Sequence, residues 1–298
     1  MQPKPQRSDQ KKKDGMSTYL ADQAKNLTVE GPSATFTYRR MGPRSGIPLV
    51  LVHRFRGTVD WWDPEFLDLL ATNHDVIAFD NIGVGYTTGD PRDSLGGFTE
   101  GVIEFIEALG LPQVDLLGWS LGGIVAQDVA LRSPELVRKL IVAGSGPAGW
   151  VPDAPPMSEK VLGIMAMPEF TEDDLTYLLY PQTDAGHAAA RKHFDHVATR
   201  LAEGGPAASP AATQGMLAAV TKLLARPFVE VAEDIRAIKH PVLYANGLHD
   251  VVIPAHASYV AIQHLENSTL RLYSDAGHGF LFQHAEAFTT AVADFLTD

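Results

Sequence analysis

Short apolar runs alternate with helical periods along most of this chain. Residues 48–53 form a continuous apolar run ending in His53, and 75–80 carry a second apolar core, Val76 to Phe79, between Asp75 and Asp80, the pattern of strands buried on both faces. Between them, 63–72 carries helical spacing and opens on Asp63-Pro64, a capping residue followed by proline in the first turn. Residues 97–109 place Val102, Ile103, Phe105, Ile106 and Leu109 on one helical face. A strand over 113–118, a helix over 121–132 and a strand over 140–143 follow, and two short strands over 27–30 and 34–40 come before. Strand and helix in alternation predict a mostly parallel, doubly wound sheet with helices on both faces.

The alternation stops after Gly144. Residues 158–165, 171–179, 185–202 and 210–224 have helical patterns, separated by Pro152, Pro155-Pro156, Pro181 and Gly204-Gly205-Pro206. Strand patterns resume over 241–245 and 269–273, with helices over 256–264 and 280–296. The predicted class is therefore α/β, a central sheet of about eight strands with an inserted all-helical cap. The boundaries expected are 27–146 and 228–298 for the sheet domain and 147–227 for the cap, with 1–26 as a tail, disordered in part.

Composition narrows the picture. Hydrophobic residues are 45% and charged residues 20% of 298, which suits a large packed core and argues against disorder or a coiled coil. The net charge is −12, so nucleic acid is not an expected partner. Cysteine is absent, which excludes disulfides, thiolate metal sites and a cysteine nucleophile. No apolar run reaches the ~18 residues of a membrane helix. The expected setting is the cytoplasm, away from membranes, and the composition leaves the oligomeric state open. Lys4, Arg7, Lys11, Lys12 and Lys13 against Asp9 and Asp14 make 1–15 basic, without the apolar run of a signal peptide. A tail, or an early start upstream of Met16, is the expectation there.

Gly118-Trp119-Ser120-Leu121-Gly122-Gly123 follows a predicted strand and opens a predicted helix. That is the setting of a nucleophile elbow, a turn tight enough to need glycine on both sides of the serine. A serine hydroxyl needs a base and the base needs an orienting acid. His278, in Gly277-His278-Gly279, and Asp250, in Asn246-Gly-Leu-His-Asp250, both stand just after predicted strands. Loops at the carboxyl ends of parallel strands are where such sheets build sites. Asp275 is the competing acid, more simply read as a turn residue.

From about Leu27 onward the chain resembles the α/β-hydrolase superfamily, in the branch with a helical cap. The elbow carries the resemblance, together with Leu-Val-His53 and Gly57, Phe79-Asp80-Asn81-Ile82-Gly83-Val84-Gly85, Asn246 to Asp250 and Gly277-His278-Gly279. It implies Ser120, Asp250 and His278 as catalytic residues, and the backbone N–H groups of Phe55 and Leu121 as an oxyanion hole. It implies no cofactor and no metal. The chain departs from the family at His53-Arg54-Phe55-Arg56, where glycine usually follows the histidine. Arg54 blocks the backbone approach, aims a cation into the site, or simply faces solvent or pairs with an acid; Arg56 is expected to face solvent or pair with acids.

Further substrate contacts are expected from His53, Arg54, Trp61, Trp62, Trp119, Met165 and Tyr177. Met167, Phe170, Leu178 and Tyr180 also sit in the apolar part of the insertion. His187, His193 and His196, with Asp195, lie on a predicted cap helix and read as a solvated face before they read as metal ligands. The implied reaction is hydrolysis of a small apolar ester, thioester or lactone. Carbon–carbon bond hydrolysis and cofactor-free haloperoxidase or perhydrolase chemistry share this machinery. A ligand receptor with slow turnover is the alternative of another class.

Overall fold

A computed structural model describes residues 18–297 of the chain. One sheet of eight strands runs in the order β1-β2-β4-β3-β5-β6-β7-β8. The strands are β1 (Leu27–Glu30), β2 (Thr35–Met41), β3 (Leu49–Val52), β4 (Val76–Phe79), β5 (Val114–Trp119), β6 (Val137–Ala143), β7 (Val242–Gly247) and β8 (Ser268–Tyr273). The first three neighbours pair antiparallel and the other strands pair parallel. Every residue of β3, β4 and β5 is buried, as their unbroken apolar character requires of strands covered on both faces.

Helices α1 (Leu20–Gln23), α2 (Pro64–Ala71), α3 (Leu95–Ala108) and α4 (Leu121–Arg132) accompany the first strands. The Asp63 carboxylate caps α2 by accepting from Glu65 and Phe66 N–H. Beyond β4 the chain folds back on the buried Asp80, which accepts from Val59 and Tyr86 N–H at 2.7 and 2.9 Å. Strand order reverses at β3, which lies between β4 and β5; the crevice above such a switch point is where an open sheet binds ligands.

Between β6 and β7 the described chain forms helices and no strand: α5 (Glu159–Met165), α6 (Glu172–Leu179), α7 (Asp184–Leu201), α8 (Pro210–Leu224) and α9 (Phe228–Ala237). The last of these, α9, lies beyond residue 227 and leads into β7. Helix α9 escaped the sequence pattern because it starts directly after Pro227, close behind α8. After β7 come α10 (Ala255–Ile262), α11 (Phe280–Gln283) and α12 (Ala285–Thr297). The single final helix expected over 280–296 is broken at His284, whose backbone leaves the helical region.

The tail expected to reach residue 26 is shorter. Leu20 and Ala21 N–H both donate to Asp68 at 2.8 Å, and Arg200 of α7 donates to the Ala21 and Ala24 carbonyls. These side chains, distant in sequence, tie 20–24 to both α2 and α7. The basic stretch 1–15 lies outside the described residues. Among those residues no helix is long and apolar enough to cross a membrane.

Candidate active site

Ser120 stands at the junction of β5 and α4 with φ 58° and ψ −123°. For a non-glycine residue such a backbone costs about 1–3 kcal/mol and persists only when neighbours over-determine it. Ser120 N–H donates to Ala143 O at 2.9 Å, and the Ser145 hydroxyl donates to Ser120 O at 2.8 Å. Space also dictates the sequence: a Cβ on Gly122 would lie 2.1 Å from Val52 O. Leu121 opens α4, so its N–H is one of that helix's free N-terminal donors.

The carboxyl ends of β7 and β8 bring in the other two groups. His278 Nδ1 is 2.7 Å from Asp250 Oδ2, and both residues are buried. The other oxygen of Asp250 accepts from Val252 and Ile253 N–H, each at 2.8 Å. A carboxylate so placed only accepts, so the histidine donates from Nδ1. The two loops touch because Gly247 has no side chain: a Cβ there would sit 2.3 Å from Gly277 O. Trp119, buried beneath, donates from its indole to His278 O at 3.0 Å. Asp275 bonds His284 at 2.8 Å instead of His278.

Ser120 and His278 line one cavity of about 100 Å³. The insertion supplies its apolar wall, with Met165, Phe170, Leu178, Leu179, Val220 and Leu223. Among the described residues Arg54 is the charged side chain of the lining, and no Asp or Glu is part of it. Phe55 and Leu121 line it too, and among the described residues neither N–H has an acceptor.

Other expected contacts sit further back. Trp62 is buried with its ring tilted against His53, centroids 4.3 Å apart; Trp61 and Trp119 each lie 5.5 Å from the Arg54 guanidinium. His53 Nδ1 accepts from Arg54 N–H at 2.8 Å. Burial, then the Arg54 charge, pushes the His53 imidazole well below its ordinary pKa, which keeps it neutral. These aromatic residues form a wall behind Arg54, outside the lining of the main cavity. Tyr177 also stays outside it, its ring 3.6 Å from Lys160 Nζ. Met167 is exposed.

Arg56 stays partly exposed, as expected, and among the described residues it forms no ion pair; its guanidinium donates to Met167 O and Pro168 O and lies over the Phe170 ring at 4.1 Å. One expectation about charged groups is corrected. His193 is buried and does not belong to a solvated face. Its Nδ1 is 3.1 Å from Asp63 Oδ2, and its ring stacks on Phe282 at 4.4 Å. His196 bonds the same carboxylate at 3.1 Å. The metal-like grouping that results is Asp63, Glu65 and His196, within 4.8 Å of one another, but Asp63 already serves the two histidines and Glu65 pairs with Lys192. Sequence could not reveal this cluster, because the two sides come from different elements.

Comparison with known proteins follows this geometry. The chain is 28% identical over 271 residues to a 2-hydroxymuconate semialdehyde hydrolase from Pseudomonas sp. (strain CF600), covering 85% of this chain and 88% of that one. It is 28% identical to a non-heme chloroperoxidase from Streptomyces lividans, covering 87% and 95%. An alpha/beta hydrolase fold protein from Chitinophaga pinensis superposes with a TM-score of 0.82 at 28% identity, covering 93% of this chain and 98% of that chain. Residues 47–285 match the sequence profile of the alpha/beta hydrolase fold. The chain thus belongs to the alpha/beta hydrolase fold family.

Proposed function

We propose that the chain is a serine hydrolase acting on an ester, thioester or lactone with a largely apolar body. One observation carries this reading. A strained serine and a carboxylate-bonded histidine line the same apolar cavity, beside two buried backbone N–H groups without acceptors. Ser120 Oγ attacks the acyl carbon as His278 takes its proton at Nε2. Asp250 holds the imidazole in that tautomer and stabilises the imidazolium that forms. The developing oxyanion accepts from Phe55 and Leu121 N–H, at the positive end of α4. His278 then protonates the leaving group. It next activates the water that releases the acyl group. No cofactor enters the scheme.

In this reading residues 147–227 act as a cap that sets acyl preference, because the apolar wall of the cavity comes from them. Carbon–carbon bond hydrolysis is the second reading. It is favoured by the similarity to a 2-hydroxymuconate semialdehyde hydrolase and uses the same residues. A panel of p-nitrophenyl esters of rising chain length, lactones and a meta-cleavage diketone tests the two together. Sustained turnover of the esters or lactones is expected. Turnover of the diketone alone would replace the first reading with the second. Ligand binding without turnover of any of them would point to a receptor.

A further inference from the structure

We infer that Arg54 binds a carboxylate on the substrate, so that the natural ligand is an amphiphilic monoanion and not a wholly neutral ester. This rests on the hydrolase reading for the word substrate, but the binding site stands on its own geometry. Arg54 is 7% exposed and lines the main cavity. Its Nη1 donates to Phe55 O at 2.8 Å, while its Nε is buried without a partner. Among the described residues no carboxylate pairs with it, and the charged or ionisable groups that act on it are Arg56 and Tyr180.

The other deeply buried arginine makes the contrast. Arg39, 2% exposed, is bonded to Asp60. Burying a guanidinium is costly unless an anion compensates it, and here none of the described residues supplies one. Trp61 and Trp119 flank Arg54 at 5.5 Å, which eases the burial without supplying a negative charge. Burial lowers its pKa only to about 10, so it stays a cation at neutral pH. The Tyr180 hydroxyl is also buried without a partner and is close enough to Arg54 for the two to interact electrostatically. A planar guanidinium is complementary to a carboxylate, which takes two parallel N–H bonds. The apolar remainder of the ligand then lies along Met165, Phe170 and Leu178.

Equilibrium binding of octanoate and of octanamide, by calorimetry at pH 7.5, tests the inference without requiring turnover. The wild-type chain is expected to bind octanoate at least tenfold more tightly than the isosteric amide. Arg54→Gln should erase that preference. Arg54→Lys, which keeps the charge but loses the planar fork, should retain part of it, and it serves as the second variant should Gln unfold the chain. Equal affinity of the wild type for both ligands, or binding of neither, overturns the inference. So does a preference that survives in both variants, which would put the anion on the Phe55 and Leu121 N–H groups. Failure of the hydrolase reading is seen separately, as absence of Ser120 labelling, and leaves this measurement intact.

Discussion

Two buried histidine–aspartate pairs lie in different regions of the molecule. His278 and Asp250 meet at 2.7 Å on the sheet's carboxyl edge, beside Ser120. His193 and Asp63 meet at 3.1 Å where α7 of the insertion packs on the start of α2. The first histidine lines the cavity. The second stacks its ring on Phe282, and its carboxylate also serves His196 and the cap of α2. Pair chemistry alone therefore does not define a catalytic group; what the ring faces does. The first pair stands where the proposed hydrolysis would need a proton carrier; the second joins α7 of the insertion to the start of α2.

Variants separate the two. Asp250→Asn should leave the fold intact and lower ester turnover by about ten-thousand-fold, by analogy with other triads. Asp275→Asn should stay within a few-fold of wild type; a crippling effect there with a mild one at Asp250 would reverse the assignment. Steady-state kinetics reads both. Met165→Ala should reorder the preference among acyl chain lengths, whereas Tyr177→Ala, outside the cavity, should not. Identical rankings in both variants would reduce the insertion to a structural cover.

At the second pair the expected effect moves from rate to stability. Asp63→Ala removes a helix cap, worth about 0.5–2 kcal/mol, and a buried acceptor, worth about 1–3 kcal/mol. Tm should fall by several degrees, with kcat reduced far less than in Asp250→Asn. The smallest effect is pH-dependent. Burial outweighs the Asp63 contact and holds the His193 pKa below its ordinary value. Burial opposes a charged Asp63, yet the bonds from His193 and His196 prevail and keep its carboxyl well below the usual range. Both groups bind protons more readily in the unfolded chain. Stability present at neutral pH should therefore decline below about 6.5, the unfolded histidine value, and further below about 4 as Asp63 titrates in the unfolded chain. Thermal melts from pH 8 to pH 3 check the sign. In Asp63→Ala the decline between about pH 6.5 and 4 should be steeper, because His193 loses the contact that holds its pKa up, and the further decline below about 4 should be reduced.

The same two regions differ in how far sequence foretold them. The elbow, the Asp250 loop and the His278 loop were legible because local rules place them: buried apolar runs, then glycine where backbones nearly touch, as at Gly122 and Gly247. Four insertion helices were legible from their period and their breakers, nearly to the residue. What those helices touch was not. Arg56 meets carbonyls more than a hundred positions away, and His193 meets a carboxylate 130 positions away. Such contacts depend on how the insertion lies over the sheet, which no local pattern encodes. Trp61, Trp62 and Trp119 show the same limit. Their size marked them as pocket residues, but packing made them the wall behind Arg54.

The central claim is that Ser120 is a nucleophile activated by His278. A fluorophosphonate probe followed by intact-mass and peptide analysis tests it most directly. One probe per chain on Ser120 is expected, with labelling lost in Ser120→Ala and strongly slowed when His278 is replaced by alanine. Stoichiometric labelling that persists in Ser120→Ala, or the absence of any labelling of the folded wild-type chain, would contradict it.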